Sequence, residues 1–238
     1  MKVLIAAAGR GTRMKELGID KPKHLLEVKG KPFLYYLLEN IKKAGFKDII
    51  VVGGYKAEKI EEFISGYDKN IKVINQWDRI SKEKYGTVCP IEAARNELKD
   101  DNFIFISGDN YYSALDLKKM KKNDDMNYAA YYTSKYPELY GVVRYDKKDY
   151  LEEIVEKPMK HIGNEISIGL YKFTPEIFSK IEKIDKSTRG EYELVDAVNR
   201  LAKERQVKVI EHKKHWFDFG KPEDVPVLEE FLHNEKII

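Results

Sequence analysis

Apolar positions along this chain follow two periods, and the switches between them predict its elements. The run 3–8 is continuously apolar and short, which predicts a strand buried on both faces. After a short apolar piece at 25–28, Pro32 predicts the start of a helix, where a missing N–H costs little. Phe33, Leu34, Leu37, Leu38 and Ile41 then recur at helical spacing until Gly45 stops the pattern. Buried strands are expected at 49–52 and 71–74, with an amphipathic helix over 57–64 between them, closed by Gly66. This β-α-β-α-β order predicts an α/β fold: a Rossmann-like, mostly parallel mixed sheet with helices on both faces.

The next stretch, 75–85, has no clear period. A helix is expected over 88–98, with Pro90 tolerable only in its first turn, and a fourth buried strand at 103–106. That strand stops at Ser107-Gly108-Asp109-Asn110. Strand-like runs follow at 126–133, 140–145, 151–155 and 166–173, and 127–173 reads as a β-rich insertion covering one end of the sheet. Helices at 175–184 and 192–205, a strand at 207–211 and a last helix opened by Pro222 complete the chain. No linker, repeat or low-complexity segment interrupts it, which predicts one domain over 1–238.

Composition narrows the function classes. The 43 basic and 40 acidic residues leave a net charge of +3 without a strong basic block, so nucleic acid is not an expected partner. No apolar run reaches ~18 residues and the first residues carry no signal-peptide pattern, so neither a membrane partner nor export is expected and the cytoplasm is the expected location. The single Cys89 excludes an internal disulfide or a cysteine metal cluster, and reads as a small buried residue.

The chemistry concentrates after the first strand, in Gly9-Arg10-Gly11-Thr12-Arg13-Met14, with Pro22-Lys23 ten residues on. Tight glycine turns at a strand end bring backbone N–H groups close to an anion. Two cations nearby, Arg13 and Lys23, suit more than one phosphate. The spacing is neither GxxxxGK[ST] nor GxGxxG, because Met14 stands where the third Gly would fall. Asp109 ends a predicted strand, where α/β sheets bind ligands.

Taken in order, several segments resemble the sugar-1-phosphate nucleotidyltransferases. They are Ala6-Ala7-Ala8-Gly9-Arg10-Gly11-Thr12-Arg13-Met14, Pro22-Lys23, Tyr85-Gly86-Thr87, Gly108-Asp109-Asn110, Tyr140-Gly141-Val142, Glu156-Lys157-Pro158, Ser167-Ile168-Gly169-Leu170-Tyr171, Arg189-Gly190-Glu191 and Trp216-Phe217-Asp218-Phe219-Gly220. The resemblance implies a reaction of a nucleoside triphosphate with a sugar 1-phosphate, giving nucleotide-sugar and pyrophosphate. It implies that Arg13 steadies pyrophosphate, Lys23 bridges the phosphates, Lys157 holds the sugar phosphate, and Asp109 with Asp218 holds Mg²⁺ as cofactor. It further implies nucleotide contacts from Ala7, Ala8, Gly9, Arg10, Gly11, Thr12, Gln76, Gly86 and Thr87, and sugar-phosphate contacts from Gly141, Glu156, Lys157 and Ser167. Ser167 stands where many relatives carry Asn. The nucleotide would occupy mainly 1–110 and the sugar phosphate 127–173. The loop wording lies nearest the uridylyltransferases, so UTP or dTTP is favoured. The alternatives are a CTP-dependent enzyme acting on an alcohol phosphate such as phosphocholine or inositol phosphate, and a non-catalytic nucleotide-sugar-binding regulator. Hexapeptide repeats are absent, so the acyltransferase activity of bifunctional relatives is not expected, and homo-oligomerisation is left open.

Overall fold

The computed structural model describes residues 1–234, so the last four residues of the expected 1–238 domain lie outside the described ones. β1 (Lys2–Ala7) leads through a 3-10 turn and one turn of helix, α1 (Leu17–Asp20), to the short hairpin of β2 (Glu27–Val28) and β3 (Lys31–Pro32). Then come α2 (Phe33–Lys43), β4 (Ile49–Gly53), α3 (Ala57–Tyr67) and β5 (Lys72–Asn75). Two short helices, α4 (Cys89–Ala93) and α5 (Arg95–Leu98), precede β6 (Phe103–Ser107), β7 (Asn110–Tyr112) and α6 (Ala114–Lys119). β8 (Asn127–Thr133), β9 (Gly141–Tyr145), β10 (Leu151–Glu156) and β11 (Glu165–Phe173) follow in succession. The chain continues through α7 (Ile177–Ile181), α8 (Leu194–Lys203), β12 (Val207–Glu211), β13 (Trp216–Asp218) and α9 (Asp224–Asn234).

β1 lies between β4 and β6 and parallel to both, with β5 parallel to β4 beyond. β11 runs antiparallel to β6, β8 antiparallel to β11, and β12 parallel to β8. The first half of β11 also meets β9 at Ile166↔Val142, and β10 pairs β9. Alternation along β1 feeds two cores. Val3, Ile5 and Ala7 pack in the layer containing Leu34 and Leu37 of α2, Ile60 and Ile64 of α3 and Leu117 of α6. Leu4 packs in the opposite layer with Ile91 of α4 and Leu194 and Val198 of α8. Val3, Leu4 and Ile5 are all 0% exposed, and full burial of such side chains contributes roughly 1.5–3 kcal/mol each. The strand that carries the 9–14 loop is thus rooted in residues fully buried in both cores.

The structure corrects several expectations. Gly66 does not close α3, which runs to Tyr67, and the Asp68 N–H still donates to the Ile64 carbonyl. The helix expected over 88–98 is interrupted at Ala94, whose backbone (φ −96°, ψ 10°) leaves the helical region. The helix expected over 175–184 is regular only through α7. Residues 127–173 do not cover an end of the sheet. All four of their strands, β8, β11 and the β9–β10 arm, belong to the same nine-stranded sheet of the described residues. Cys89 is 1% exposed, and burial pushes its thiol up to about 12, as suits a small core residue. Among the described residues no helix is long and apolar enough to cross a membrane.

Candidate active site

A cavity of about 380 Å³ opens beyond the carboxyl ends of β1 and β6. Ligands in open α/β sheets sit in this position. On its β1 side, the turn after the strand is shaped around Lys23. Gly11 adopts φ +62°, and a Cβ there would stand 3.2 Å from the Lys23 Cβ, so the lysine stem passes directly beneath the loop. The Lys23 side chain is 10% exposed, and its Nζ lies 2.5 Å from Oδ2 of Asp109, itself 26% exposed. Burial alone would raise the Asp109 pKa. The Lys23 ammonium outweighs it and holds the carboxyl below its ordinary value.

Asp218 comes to this place through a contact the sequence gives no sign of. β13 pairs antiparallel with β7, setting Asp218 opposite Asn110, and the Phe219 N–H donates to the Asp109 carbonyl at 2.8 Å. Burial, then the Asp109 charge, push Asp218 up to about 6, with Lys23 and Arg13 offsetting only part of that. Arg13 and Asp218 both approach Gly220: the Arg13 Nη2 and the Asp218 Oδ1 lie 3.4 and 3.3 Å from where a Gly220 Cβ would be. His24 beside Lys23 is 1% exposed, and burial, then Lys23, push it down to about 3. Its imidazole is therefore neutral at physiological pH and is no proton carrier there.

The far wall belongs to the β9–β10 arm and to β11. Gly141, Glu156, Lys157 and Ser167 all line the cavity. Lys157 follows β10 with φ +44°, a region that non-glycine residues rarely adopt, and its N–H donates to the Tyr140 carbonyl at 3.0 Å. The Ser167 hydroxyl and the Tyr171 hydroxyl form a 2.7 Å hydrogen bond. On the β1 side the walls are Ala8, Gly9, Gln76, Gly86 and Thr87. Gln76 is 2% exposed, and its amide oxygen is buried without a partner, as a ligand-facing acceptor would be. The Thr87 hydroxyl is already engaged, accepting the Leu194 N–H at the start of α8 at 2.7 Å.

Not every expected residue reaches this wall. Ala7 faces the opposite core, and Ala6 lines the cavity in its stead. The period of two along a strand carries that distinction. Arg10, Gly11 and Thr12 stand in the loop, outside the cavity lining. Asn110 and Trp216 line it without having been singled out, and Asn110 Oδ1 and Trp216 Nε1 are buried without partners. Both belong to β7 and β13, which are too short to show a period.

Gly86 is a sharp local constraint. It adopts φ +148°, and a Cβ there would stand 2.2 Å from the Tyr192 carbonyl oxygen. Gly86→Ala is expected to lower stability by about 3 kcal/mol or more, the range of overpacked, strained sites. A urea melt checks this, and a loss below about 1 kcal/mol would refute it.

Among the described residues no group of three or more His, Cys, Asp or Glu is placed to hold a metal. Asp109 and Asp218 are a two-carboxylate oxygen set, which suits Mg²⁺ when substrate oxygens and water complete the shell. Burial first, and the Asp109 carboxylate second, disfavour the Asp218 negative charge. A divalent cation would balance it. The whole arrangement is a crevice lined by the cations Arg13, Lys23 and Lys157 and by the carboxylates Asp109 and Asp218.

The family model described as nucleotidyl transferase matches residues 2–235, and the chain belongs to that family. It is 34% identical over 226 residues to the bifunctional sugar-1-phosphate nucleotidylyltransferase/acetyltransferase of Sulfurisphaera tokodaii, covering 93% of this chain and 53% of that protein. It is 31% identical over 242 residues to the UTP–glucose-1-phosphate uridylyltransferase AglF of Haloferax volcanii, covering 99% of this chain and 98% of that one. The chain thus spans about half the length of the bifunctional relative and nearly all of the second. A solved UDP-glucose pyrophosphorylase in complex with UDP-glucose shares the fold, with a TM-score of 0.84 at 21% identity over 98% of each chain.

Proposed function

We propose that the chain transfers a nucleotidyl group from a nucleoside triphosphate, UTP or dTTP, to a sugar 1-phosphate. The observation that carries this reading is that one cavity is lined by Arg13, Lys23, Asp109 and Asp218 together with Glu156 and Lys157. Under this reading a sugar-phosphate oxygen attacks the α-phosphorus. The new O–P bond forms as the bond from the α-phosphorus to the bridging oxygen breaks, and the electron pair leaves with pyrophosphate. The nucleophile is already an oxyanion, so no base is needed. The obstacle is charge repulsion, and the protein's work is alignment and neutralisation.

Lys23 would turn from Asp109 onto the phosphates at the reacting centre. Arg13 would stabilise the departing pyrophosphate, and Lys157 would align the incoming phosphate. Asp109 and Asp218 would hold Mg²⁺, which supplies charge neutralisation at the triphosphate when bound. Gln76 would present its free amide oxygen to the base. Glu156 and the Gly141 backbone would meet sugar hydroxyls. Residues 1–110 would form the nucleotide part and 127–173 the sugar-phosphate part of one working unit.

The test is pyrophosphate release with Mg²⁺ for UTP, dTTP, CTP, ATP and GTP. Each is crossed with glucose, N-acetylglucosamine and mannose 1-phosphates, inositol phosphate and phosphocholine. Release that requires both a pyrimidine triphosphate, UTP or dTTP, and a sugar 1-phosphate is expected. Release only with CTP and an alcohol phosphate, or none with any pair, would overturn the reading.

A further inference from the structure

The segment between Arg13 and Lys23 buries almost nothing of its own. From Arg13 to Lys21 only Met14 is buried, while Leu17 and Ile19 are 48% and 60% exposed. Its one regular turn, α1, ends in backbone carbonyls that the helix itself cannot satisfy. Those carbonyls are taken up from outside the loop. The Tyr55 hydroxyl donates to the Ile19 carbonyl at 2.9 Å and the Lys56 Nζ to the same oxygen at 2.6 Å. The Lys59 Nζ donates to the Asp20 carbonyl at 2.6 Å.

The donors have a rigid base. They follow β4, every residue of which is buried, and the Tyr55 N–H also reaches the Ala8 carbonyl at 3.3 Å. One short stretch, 55–59, therefore touches both the root and the far end of the phosphate loop. Lys56 adopts φ +51° at the mouth of α3, an unusual conformation for a lysine at the point where its ammonium meets Ile19. Ordering a loop on ligand binding costs conformational entropy, and a loop already held binds with less of that cost.

We propose that Tyr55, Lys56 and Lys59 are positioning residues of the nucleotide site. They clasp the 15–21 segment so that Arg13 and Lys23 stand ready for a triphosphate. None of the three lines the cavity, so they act on the ligand through the loop. The inference rests on the nucleotidyl-transfer reading and deepens its nucleotide half.

The test compares the wild type with Y55F/K56M/K59M and with K56R/K59R, whose guanidinium groups can still donate to carbonyls. UTP and dTTP binding with Mg²⁺ is followed by calorimetry without sugar phosphate, beside steady-state kinetics and limited trypsin digestion. For the triple variant, nucleotide Kd and KM are expected to rise about tenfold, equivalent to about 1.4 kcal/mol. Its kcat and sugar-phosphate KM are expected to stay within about twofold, as loss of uniform binding predicts. Tryptic cleavage after Lys15 is expected to accelerate and to slow again with nucleotide. K56R/K59R is expected to bind as the wild type does. An unchanged nucleotide Kd in the triple variant would overturn the proposal, whether or not its melting temperature falls. Wild-type protein that binds neither nucleotide would sink the nucleotidyl-transfer reading, and the clasp with it.

Discussion

Asp218→Asn is expected to make the protein more stable and nearly inactive. The folded-state pKa of Asp218 is raised to about 6 from an ordinary 3.8, by burial first and Asp109 second. Between those values the folded state holds a proton that the unfolded state has lost. Stability therefore falls as pH rises through that window, and the deficit persists above it. The deficit is on the order of 2–3 kcal/mol. Asparagine keeps the shape and removes the charge, so at pH 8 the variant should melt about 5 °C higher or more. Near pH 4 the two melting curves should converge. On the proposed reading, turnover with Mg²⁺ should drop by about three orders of magnitude, because several kcal/mol of charge stabilisation would lose one of its two carboxylates. Melts at pH 4 and 8 beside a pyrophosphate-release assay decide the matter, and a variant less stable than wild type at pH 8 would refute it.

Lys23→Met should fail in the opposite way, losing both activity and stability. The methionine keeps the apolar stem under Gly11 but leaves Asp109 without the ammonium at 2.5 Å. Removing one partner of a buried pair costs more than the pair itself contributes. With Asp109 partly exposed, a loss of about 2 kcal/mol at pH 8 is expected. The wild-type Asp109 pKa is depressed, so its stabilising contribution is present above the ordinary carboxylate pKa and disappears as pH falls through the depressed folded value. The gap between variant and wild type should therefore close in acid. The value of kcat/KM should fall by about 10³ or more, about 4 kcal/mol of barrier. The double variant K23M/D109N should regain stability at pH 8 without regaining turnover. Urea melts across pH and steady-state kinetics of the wild type and the two variants check each part.

These two predictions depend on geometry the sequence carries unevenly. β1, β4, β5 and β6 are legible because each is a short apolar run bounded by turn residues, and such a run signals a strand by itself. Asp109 is legible as a strand-end residue for the same reason. Its meeting with Asp218 is not, because it depends on three-residue strands, β7 and β13, that lie over a hundred positions apart. Only the family resemblance pairs the two carboxylates in advance. The free amide oxygen of Gln76 is likewise invisible, since whether a buried acceptor is satisfied depends on its neighbours in space. Ala6 and Ala7 differ by one step in a pattern read as uniformly apolar, and only the twin cores separate them. The break at Ala94 overrides good local helix propensity, as tertiary context commonly does.

β11 gives its first half to the arm that carries Glu156 and Lys157 and its second half to β6, the strand leading into Asp109. A chimera that borrows the arm of a relative, to test whether the arm sets the proposed sugar preference, should therefore be spliced in the loops on either side of 140–163. A junction inside 165–173 would cut the one strand shared by donor and recipient, and a misaligned register there would turn every side chain in the transplanted wall to the wrong face.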